Sequence, residues 1–231
     1  MSGAIAVLIV DDHTMFADAL VALLETEEDI EIVGAVATGE EAVALCGPSV
    51  PDVVLMDIDL PGMDGIASTR EVLRVCPEAK VIGISALRDP DLLARAVAAG
   101  ASGLVPKTRA ADELVRVVRA AAAGEIVLPE GDLRPVLERL RTAAHPPAPV
   151  PVGVNFLTNR EVEILQTFAD GMSTEEVATA LRISQRTVRA HVESILAKLG
   201  VHSKLQAVLL GLRSGVIVLK EGEHFSLPGS S

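Results

Sequence analysis

The sequence predicts an α/β domain built on a five-stranded parallel sheet, followed by an all-α domain of four helices. Five short runs of β-branched and apolar residues alternate with helical segments in the N-terminal part of the chain. A proline-rich stretch at 146–151 then interrupts the alternation, and from Leu157 onward the pattern is helical only. The length of 231 residues fits two domains that each bury a core.

Each predicted strand of the first domain precedes a helical segment. The strands comprise residues 4–10, 31–37, 52–56, 80–85 and 102–105. Predicted helices include residues 15–24, 89–98 and 112–122, and the last of these carries apolar side chains at helical spacing. Alternating strands and helices imply a parallel sheet that is covered by helices on both faces.

The domain limits follow from these changes in pattern. We expect the first domain at 1–124, a linker at 125–154, the second domain at 155–220 and a flexible tail at 221–231. The prolines of the linker disfavour helix and sheet, so its central part should be extended and semi-rigid.

Helix caps organise the second domain. Residues 158–161 and 173–176 both match the S/T-x-x-E capping box, and Ser184 is a third candidate cap. Gly171 and Gly200 lie where helices should end. Four helices with short connections follow, and the second and third of them have the spacing of a helix-turn-helix.

The net charge of −12 lies in the N-terminal part of the chain. Residues 1–144 hold 12 basic and 24 acidic side chains, whereas residues 145–220 hold 8 and 6. The acidity therefore does not exclude nucleic acid as a partner of the second domain. The two cysteines, Cys46 and Cys76, are too few for a disulfide framework and lack metal-ligand spacing. No apolar run approaches the roughly 18 residues of a membrane span, and we expect a cytoplasmic protein without a membrane partner.

Polar residues follow the predicted strands at the edge where their carboxyl ends meet. They are Asp11, Asp12, Asp57, Asp59, Ser85 and Lys107. Open α/β sheets bind ligands at this edge. Clustered carboxylates repel one another unless a cation joins them, and oxygen ligands suit Mg²⁺. An aspartate of such a site can accept a phosphoryl group, which Lys107 and Ser85 are suited to stabilise.

These motifs resemble the receiver domain of two-component response regulators. The resemblance spans residues 4–122 and rests on Val-Asp-Asp-His at 10–13, Met-Asp-Ile-Asp-Leu-Pro-Gly-Met-Asp-Gly at 56–65, Ser85-Ala and Lys107. It implies a flavodoxin-like fold with strand order 2-1-3-4-5. It further implies that a histidine kinase phosphorylates Asp57, that Asp12 and Asp57 bind Mg²⁺ directly, and that Asp11 contributes through water. The backbone carbonyl of Asp59 would complete the ligand set.

The chain departs from that family at two positions. Leu104 stands where a switching Tyr or Phe is frequent, and Thr108 stands where a proline often follows the lysine. These departures leave the phosphorylation chemistry intact but put an aromatic relay in doubt. His13 is interpreted as a residue at a helix start rather than as a participant in phosphotransfer.

The helix predicted at 184–199 has one apolar and one polar face. The apolar stripe comprises Val188, His191, Val192, Ile195 and Leu199. The opposite face comprises Arg186, Arg189, Ala190 and Glu193. Two arginines beside a small residue suit the major groove of DNA, and the amides capped by Ser184 would face a backbone phosphate.

The second domain resembles the LuxR/NarL helix-turn-helix over residues 155–217. The resemblance rests on Leu-Thr-Asn-Arg-Glu at 157–161, Gly-Met-Ser-Thr-Glu-Glu-Val-Ala at 171–178 and Thr-Val-Arg at 187–189, continuing through Leu-Gly-Val at 199–201 and Ser-Lys at 203–204. It implies that Arg189, Ala190 and Glu193 face base edges. It also implies that Thr187, Lys198 and Lys204 contact phosphates. Glu193 departs from relatives that have a basic residue there.

Together these features predict a transcription regulator in which phosphorylation of Asp57 promotes a homodimer that binds two half-sites of double-stranded DNA. The last predicted helix carries an apolar stripe that either forms the dimer surface or packs in the core: Leu205, Val208, Leu209 and Leu212. Three alternatives stay open at this stage. They are a receiver that works without phosphorylation, a phosphotransfer enzyme with an aspartyl phosphate intermediate, and a small-molecule sensor.

Overall fold

The structure is a computed structural model that describes residues 3–86, 90–128, 137–138 and 156–219. Five strands form one parallel sheet: β1 (Ile5–Val10), β2 (Ile30–Val36), β3 (Val53–Asp57), β4 (Lys80–Ser85) and β5 (Gly103–Pro106). Their order is β2-β1-β3-β4-β5, as predicted. The strand order reverses between β1 and β3, so the carboxyl ends of these two strands flank the place where such sheets bind ligands.

Four strands differ from the predicted ones by one residue at one or both ends, and β4 has its predicted bounds. β3 extends to Asp57 because this residue pairs with Ile84 of β4. β5 extends to Pro106, which pairs with Ser85 at the end of an edge strand, where a missing N–H group is tolerated. Because pairing between strands decides these limits, the sequence of a single strand does not define them.

Five helices cover the sheet: α1 (Thr14–Leu24), α2 (Gly39–Ser49), α3 (Gly65–Val75), α4 (Pro90–Ala98) and α5 (Lys107–Ala122). Leu20 of α1 and Val117 of α5 share one buried apolar cluster, whereas Cys46 of α2 and Val72 of α3 belong to another. α5 begins five residues before its predicted start. Its first turns lack the apolar spacing on which the prediction rested, although Pro106 provides extended backbone at the N-cap.

The second domain consists of α6 (Asn159–Ala169), α7 (Thr174–Leu181), α8 (Gln185–Leu199) and α9 (Lys204–Arg213). Both predicted capping boxes are present, and Ser184 caps α8 by accepting a hydrogen bond from the Thr187 amide. Gly200 has a φ of 66° where α8 ends, a left-handed conformation that glycine adopts without strain. The local signals therefore predicted these helices correctly.

The two domains contact each other through α4 and α9. Ser203 Oγ donates a hydrogen bond to the Ala101 carbonyl (3.0 Å), and Gln206 Nε2 donates one to the Ala98 carbonyl (3.4 Å). Val97 of α4 lies in the same buried apolar cluster as Leu205 of α9. A rearrangement of α4 would therefore change the packing around α9.

The apolar stripe of α9 packs in the core of the chain. Its four members are all buried: Leu205, Val208, Leu209 and Leu212. Of the two interpretations that the sequence left open, the structure supports core packing, because these side chains are covered by residues of the same chain.

Two predicted segments fall largely or wholly outside the described residues. They are most of the linker, including its proline-rich part at 146–151, and the tail at 221–231. Among the described residues no single helix is long and apolar enough to cross a membrane. α8 and α9 pass that test of length and composition only as a pair, and they are bent by 58° relative to each other.

Candidate functional site

Asp57 ends β3 at the carboxyl edge of the sheet, and its side chain is fully buried. The amide of Asp59 donates a hydrogen bond to Asp57 Oδ1 (3.1 Å), and the amide of Ile58 donates to the Ile84 carbonyl (3.0 Å). Gly65 begins α3 directly against this turn, where an added Cβ would lie 2.0 Å from the Asp57 carbonyl oxygen. The glycine thus lets α3 approach the strand that carries the acidic side chain.

Asp11 and Asp12 follow β1 at the same edge. The amide of Asp11 donates to the Val36 carbonyl (3.0 Å), and Asp11 Oδ1 accepts a hydrogen bond from the amide of His13 (2.8 Å). His13 stands at the N-cap position of α1, as its interpretation from sequence implied, but its Nδ1 also lies 2.8 Å from Asp12 Oδ1. The contact of His13 with the acidic group was missed because only the fold of the turn brings the ring back onto its neighbours.

Lys107 links the acidic side chains from the start of α5. Its Nζ donates to Asp57 Oδ2 (2.8 Å) and lies 2.8 Å from Asp11 Oδ2. The ammonium group also lies over the ring of Phe16, 4.9 Å from its centroid. The side chain is therefore held between two carboxylates and an aromatic face.

Burial and charge have opposite effects on these groups. Burial raises the pKa of the Asp57 carboxyl, and the hydrogen bond from Lys107 opposes this rise only in part. Burial lowers the pKa of the Lys107 ammonium, but its pairing with the Asp11 and Asp57 carboxylates outweighs this effect, so the pKa of Lys107 lies above its usual value. The lysine is thus charged at neutral pH, and it partly offsets the cost of an ionised Asp57.

Ser85 and Asp59 take the places at this edge that the sequence predicted. Ser85 ends β4 and is fully buried, one residue beyond the partner of Asp57 in the sheet. The side chain of Asp59 is exposed. Leu104 is buried in the middle of β5, where a Cβ added to Gly83 would lie 2.6 Å from Leu104 Cδ1.

The side chains at this edge fit a hard divalent cation. Asp11, Asp12, His13 and Asp57 each offer one ligand atom, and these atoms lie within 4.8 Å of one another. Asp11 Oδ2 is buried and receives no well-directed hydrogen bond, although Lys107 Nζ is near. Carboxylate oxygens are preferred ligands of Mg²⁺, and a cation would relieve the repulsion among three carboxylates.

The exposed face of α8 contains most of the residues predicted to contact DNA. Six of the eight have exposed side chains on α8 or at its cap: Ser184, Arg186, Thr187, Arg189, Ala190 and Glu193. On the opposite face Val188, Ile195 and Leu199 are buried, and His191 is partly buried. The helix thus presents its two arginines to solvent on a rigid element, at the position of a recognition helix.

Lys198 points toward α6 in this structure. Its Nζ donates hydrogen bonds to Glu161 Oε1 (2.8 Å) and Oε2 (2.7 Å). Glu161 is buried and also accepts hydrogen bonds from Ser194 and from the amide and hydroxyl of Thr158. Lys198 therefore closes a polar network inside the domain, and a phosphate contact would require it to leave this network.

Lys204 is also directed inward. It is 8% exposed, donates hydrogen bonds to Glu125 and Thr174, and lies 4.3 Å from the centroid of the Phe168 ring. The predicted contact of Lys204 with a phosphate is not available in this conformation. Thr174 and Glu125 carried no signal in the sequence because their role depends on the packing of the two domains.

Each domain matches a protein-family model. Residues 7–119 match the response regulator receiver domain, and residues 155–210 match the LuxR family of bacterial regulatory proteins. The chain therefore belongs to the response regulators of the NarL/LuxR type, which are transcription factors rather than enzymes. The receiver domain and the DNA-binding domain are accordingly the first and second domains described above.

Similar proteins share this organisation over nearly their whole length. The transcriptional regulatory protein LiaR of Bacillus subtilis is 37% identical over 213 residues, which cover 92% of this chain and 99% of LiaR. The response regulator protein VraR of Staphylococcus aureus is 36% identical over 214 residues, with coverage of 92% and 99%.

Solved structures agree with the fold. The receiver domain of the putative response regulator NarL from Mycobacterium tuberculosis has a TM-score of 0.51 at 30% identity, covering 54% of this chain and 100% of its own. The response regulator RcsB of Salmonella typhimurium has a TM-score of 0.54 at 24% identity, covering 93% and 100%, and shares the fold.

Proposed function

We propose that a histidine kinase phosphorylates this regulator on Asp57 in a Mg²⁺-dependent reaction, and that the phosphoryl group shifts dimerisation and binding to double-stranded DNA. The observation that carries the proposal is the buried Asp57 carboxylate with Lys107 Nζ at 2.8 Å, at the edge that Asp11 and Asp12 share. Because its DNA lies in the bacterial cytoplasm, the protein would act there.

The chemistry is a transfer to one oxygen of Asp57. That oxygen attacks the phosphorus of the phosphohistidine, the P–N bond breaks, and the imidazole of the kinase leaves with the electron pair. Lys107 releases the carboxylate oxygen and pairs with a phosphoryl oxygen, while Ser85 Oγ donates a hydrogen bond to another. Bound Mg²⁺, held by Asp12, Asp57 and the Asp59 carbonyl with Asp11 through water, would neutralise charge on the phosphoryl oxygens.

The fold supplies a route from this site to the DNA-binding domain. Ser85 ends β4, and the chain continues to α4, which contacts α9 through Ala98 and Gln206. Leu104 lies in the apolar cluster that joins α4 to the second domain. A displacement of Ser85 would therefore be transmitted to α9 through α4 and the apolar packing around it. This route does not need an aromatic side chain at position 104, where the chain has Leu104.

DNA binding is proposed for the exposed face of α8. Arg189, Ala190 and Glu193 would face base edges, with Arg189 suited to guanine and Glu193 to the amino group of cytosine. Ser184, Arg186 and Thr187 would contact the adjacent phosphates of the DNA backbone. Two copies in a dimer would place two such helices on successive half-sites.

The first test is the intact mass of the protein after incubation with acetyl phosphate and Mg²⁺. One phosphoryl adduct is expected, and it should be absent without Mg²⁺ and in Asp57→Asn. Asp59→Asn is a matched control, because its exposed carboxylate lies outside the cluster and its carbonyl is unchanged. An adduct that persists in Asp57→Asn would mean that another residue is the acceptor.

Two rival functions predict different results in this assay. A receiver that works without phosphorylation would form no adduct with acetyl phosphate or with kinase, while DNA binding persists. A phosphotransfer enzyme would release inorganic phosphate over many turnovers rather than hold one phosphoryl group.

The second test concerns DNA and assembly. The phosphorylated protein is first used to select a duplex from a random library. Arg189→Ala should bind this duplex about tenfold more weakly, because one bidentate base contact is lost. Sedimentation should show a dimer on this duplex. A phosphorylated protein that is monomeric both free and on DNA would exclude the dimer.

A further inference from the structure

A carboxylate at the start of the linker, three residues after α5, lies in a cationic pocket of the DNA-binding domain. Glu125 Oε2 accepts a hydrogen bond from Lys204 Nζ (3.0 Å), and Glu125 Oε1 accepts a longer one from the Thr174 amide (3.4 Å). Lys204 also donates to Thr174 Oγ1 (2.7 Å). The carboxylate is thus bonded by a lysine and by the first amide of α7, beside a threonine hydroxyl.

These donors are of the kind that bind DNA phosphates. Lysines, hydroxyl groups and amides at helix starts are among the groups that contact the backbone of DNA. Burial lowers the pKa of Lys204 and the charge of Glu125 opposes this, while the positive charge of Arg189 on α8 adds to the lowering.

The receiver domain holds Glu125 in place. The amide of Glu125 donates to the Ala120 carbonyl (2.9 Å) at the end of α5, and the amide of Val127 donates to the Ser102 carbonyl (3.2 Å) beside β5. Thr174 is 2% exposed, whereas the Glu125 side chain is 26% exposed. The contact between Glu125 and Lys204 therefore joins two ordered parts of the chain.

We propose that the pocket formed by Thr174 and Lys204 binds a phosphate of the DNA backbone, and that Glu125 occupies it in this conformation as an intramolecular substitute for that phosphate. DNA must displace Glu125 to gain the contact, so the receiver domain competes with DNA for one defined site. This inference rests on the proposed DNA-binding function and adds to it a residue-level competitor.

The test measures the affinity of the full chain for a fluorescent mixed-sequence DNA duplex by anisotropy, over a range of NaCl concentrations. Glu125→Gln should bind about fivefold more tightly than the wild type, since the competing charge is removed. Glu113→Gln is the matched control, because Glu113 pairs with Arg116 of its own helix and its loss changes the net charge equally. It should leave the affinity within about twofold.

Lys204 variants separate competition from other effects. Lys204→Gln should reduce the slope of log affinity against log salt by about 0.9, the value for one phosphate, whereas Lys204→Arg should retain the slope. In the Lys204→Gln background, Glu125→Gln should bring no gain, because the contested group is gone.

Three results would overturn the inference. Equal gains for Glu125→Gln and Glu113→Gln would show a general charge effect. A gain that persists in the Lys204→Gln background would show that Glu125 does not compete through Lys204. An unchanged salt slope in Lys204→Gln would show that Lys204 contacts no phosphate. In each case the wild type still binds DNA, whereas a chain that fails to bind the duplex even at low salt would contradict the proposed function itself.

Discussion

Glu161 should be among the most stabilising polar residues of the DNA-binding domain. Burial by itself raises the pKa of its carboxyl, but the hydrogen bonds from Lys198, Thr158 and Ser194 lower the pKa to about 2. Relative to 4.5, this difference corresponds to about 3 kcal/mol at roughly 1.4 kcal/mol per pH unit. We expect Glu161→Gln to lower the free energy of unfolding by about 3 kcal/mol, since it leaves Lys198 without its counter-charge.

The contribution of Glu161 to the free energy of unfolding depends on pH with a defined sign. The pKa is lower in the folded than in the unfolded state, so the stabilisation is complete above about pH 4.5 and is lost as the pH falls toward 2. Calorimetry of the full chain should show the transition of the DNA-binding domain about 10–20 °C lower in Glu161→Gln at neutral pH. The gap between wild type and variant should narrow in acid.

The matched control lies on the same helix. Glu163 pairs with Arg160 (2.6 Å), but its side chain is 52% exposed, so Glu163→Gln should change stability by less than about 0.5 kcal/mol. If Glu161→Gln shifted the transition no more than this control, or kept the same gap at acidic pH, the buried network would not contribute as reasoned.

The remaining predictions concern the receiver domain. Gly65→Ala should destabilise it by about 2–3 kcal/mol because its Cβ would meet the Asp57 carbonyl at 2.0 Å, whereas Gly47→Ala, whose Cβ has its nearest contact at 3.9 Å, should be neutral or stabilising. Urea unfolding measures both. Burial and the nearby Cys76 raise the pKa of the Cys46 thiol to about 12, so iodoacetamide at mildly alkaline pH should label Cys46 in urea but not in the native protein, as read by peptide mass. Asp57→Asn should raise the melting temperature of the metal-free protein, because the raised pKa of Asp57 means that its ionised form costs stability as the pH rises.

Each of these expectations has a contrary result. Equal stability of Gly65→Ala and Gly47→Ala would show that α3 can move away from β3 at little cost. Rapid native labelling of Cys46 would show that the packing between α2 and α3 opens readily. A lower melting temperature of Asp57→Asn in a metal chelator would mean that the ion pair with Lys107 outweighs the burial of the carboxylate.

The sequence by itself determined the elements that depend on local patterns. The five strands, the capped helices of the second domain and the edge that gathers Asp57, Ser85 and Lys107 were predicted from such patterns, whereas the strand order was implied by the resemblance to receiver domains. Residues two apart lie on the same face of a strand, and residues three or four apart lie on the same face of a helix. Capping residues bind amides within one turn of the same helix. Such interactions are encoded within short stretches, so a single sequence contains them.

Only the tertiary structure decided which partners Lys198 and Lys204 take. Lys198 and Lys204 have the same basic chemistry as the exposed arginines of α8, yet the fold directs them to Glu161 and Glu125. Those partners lie 37 and 79 residues away along the chain. Their pairing depends on how helices and domains pack, because a long flexible side chain follows the nearest opposite charge that packing brings within reach.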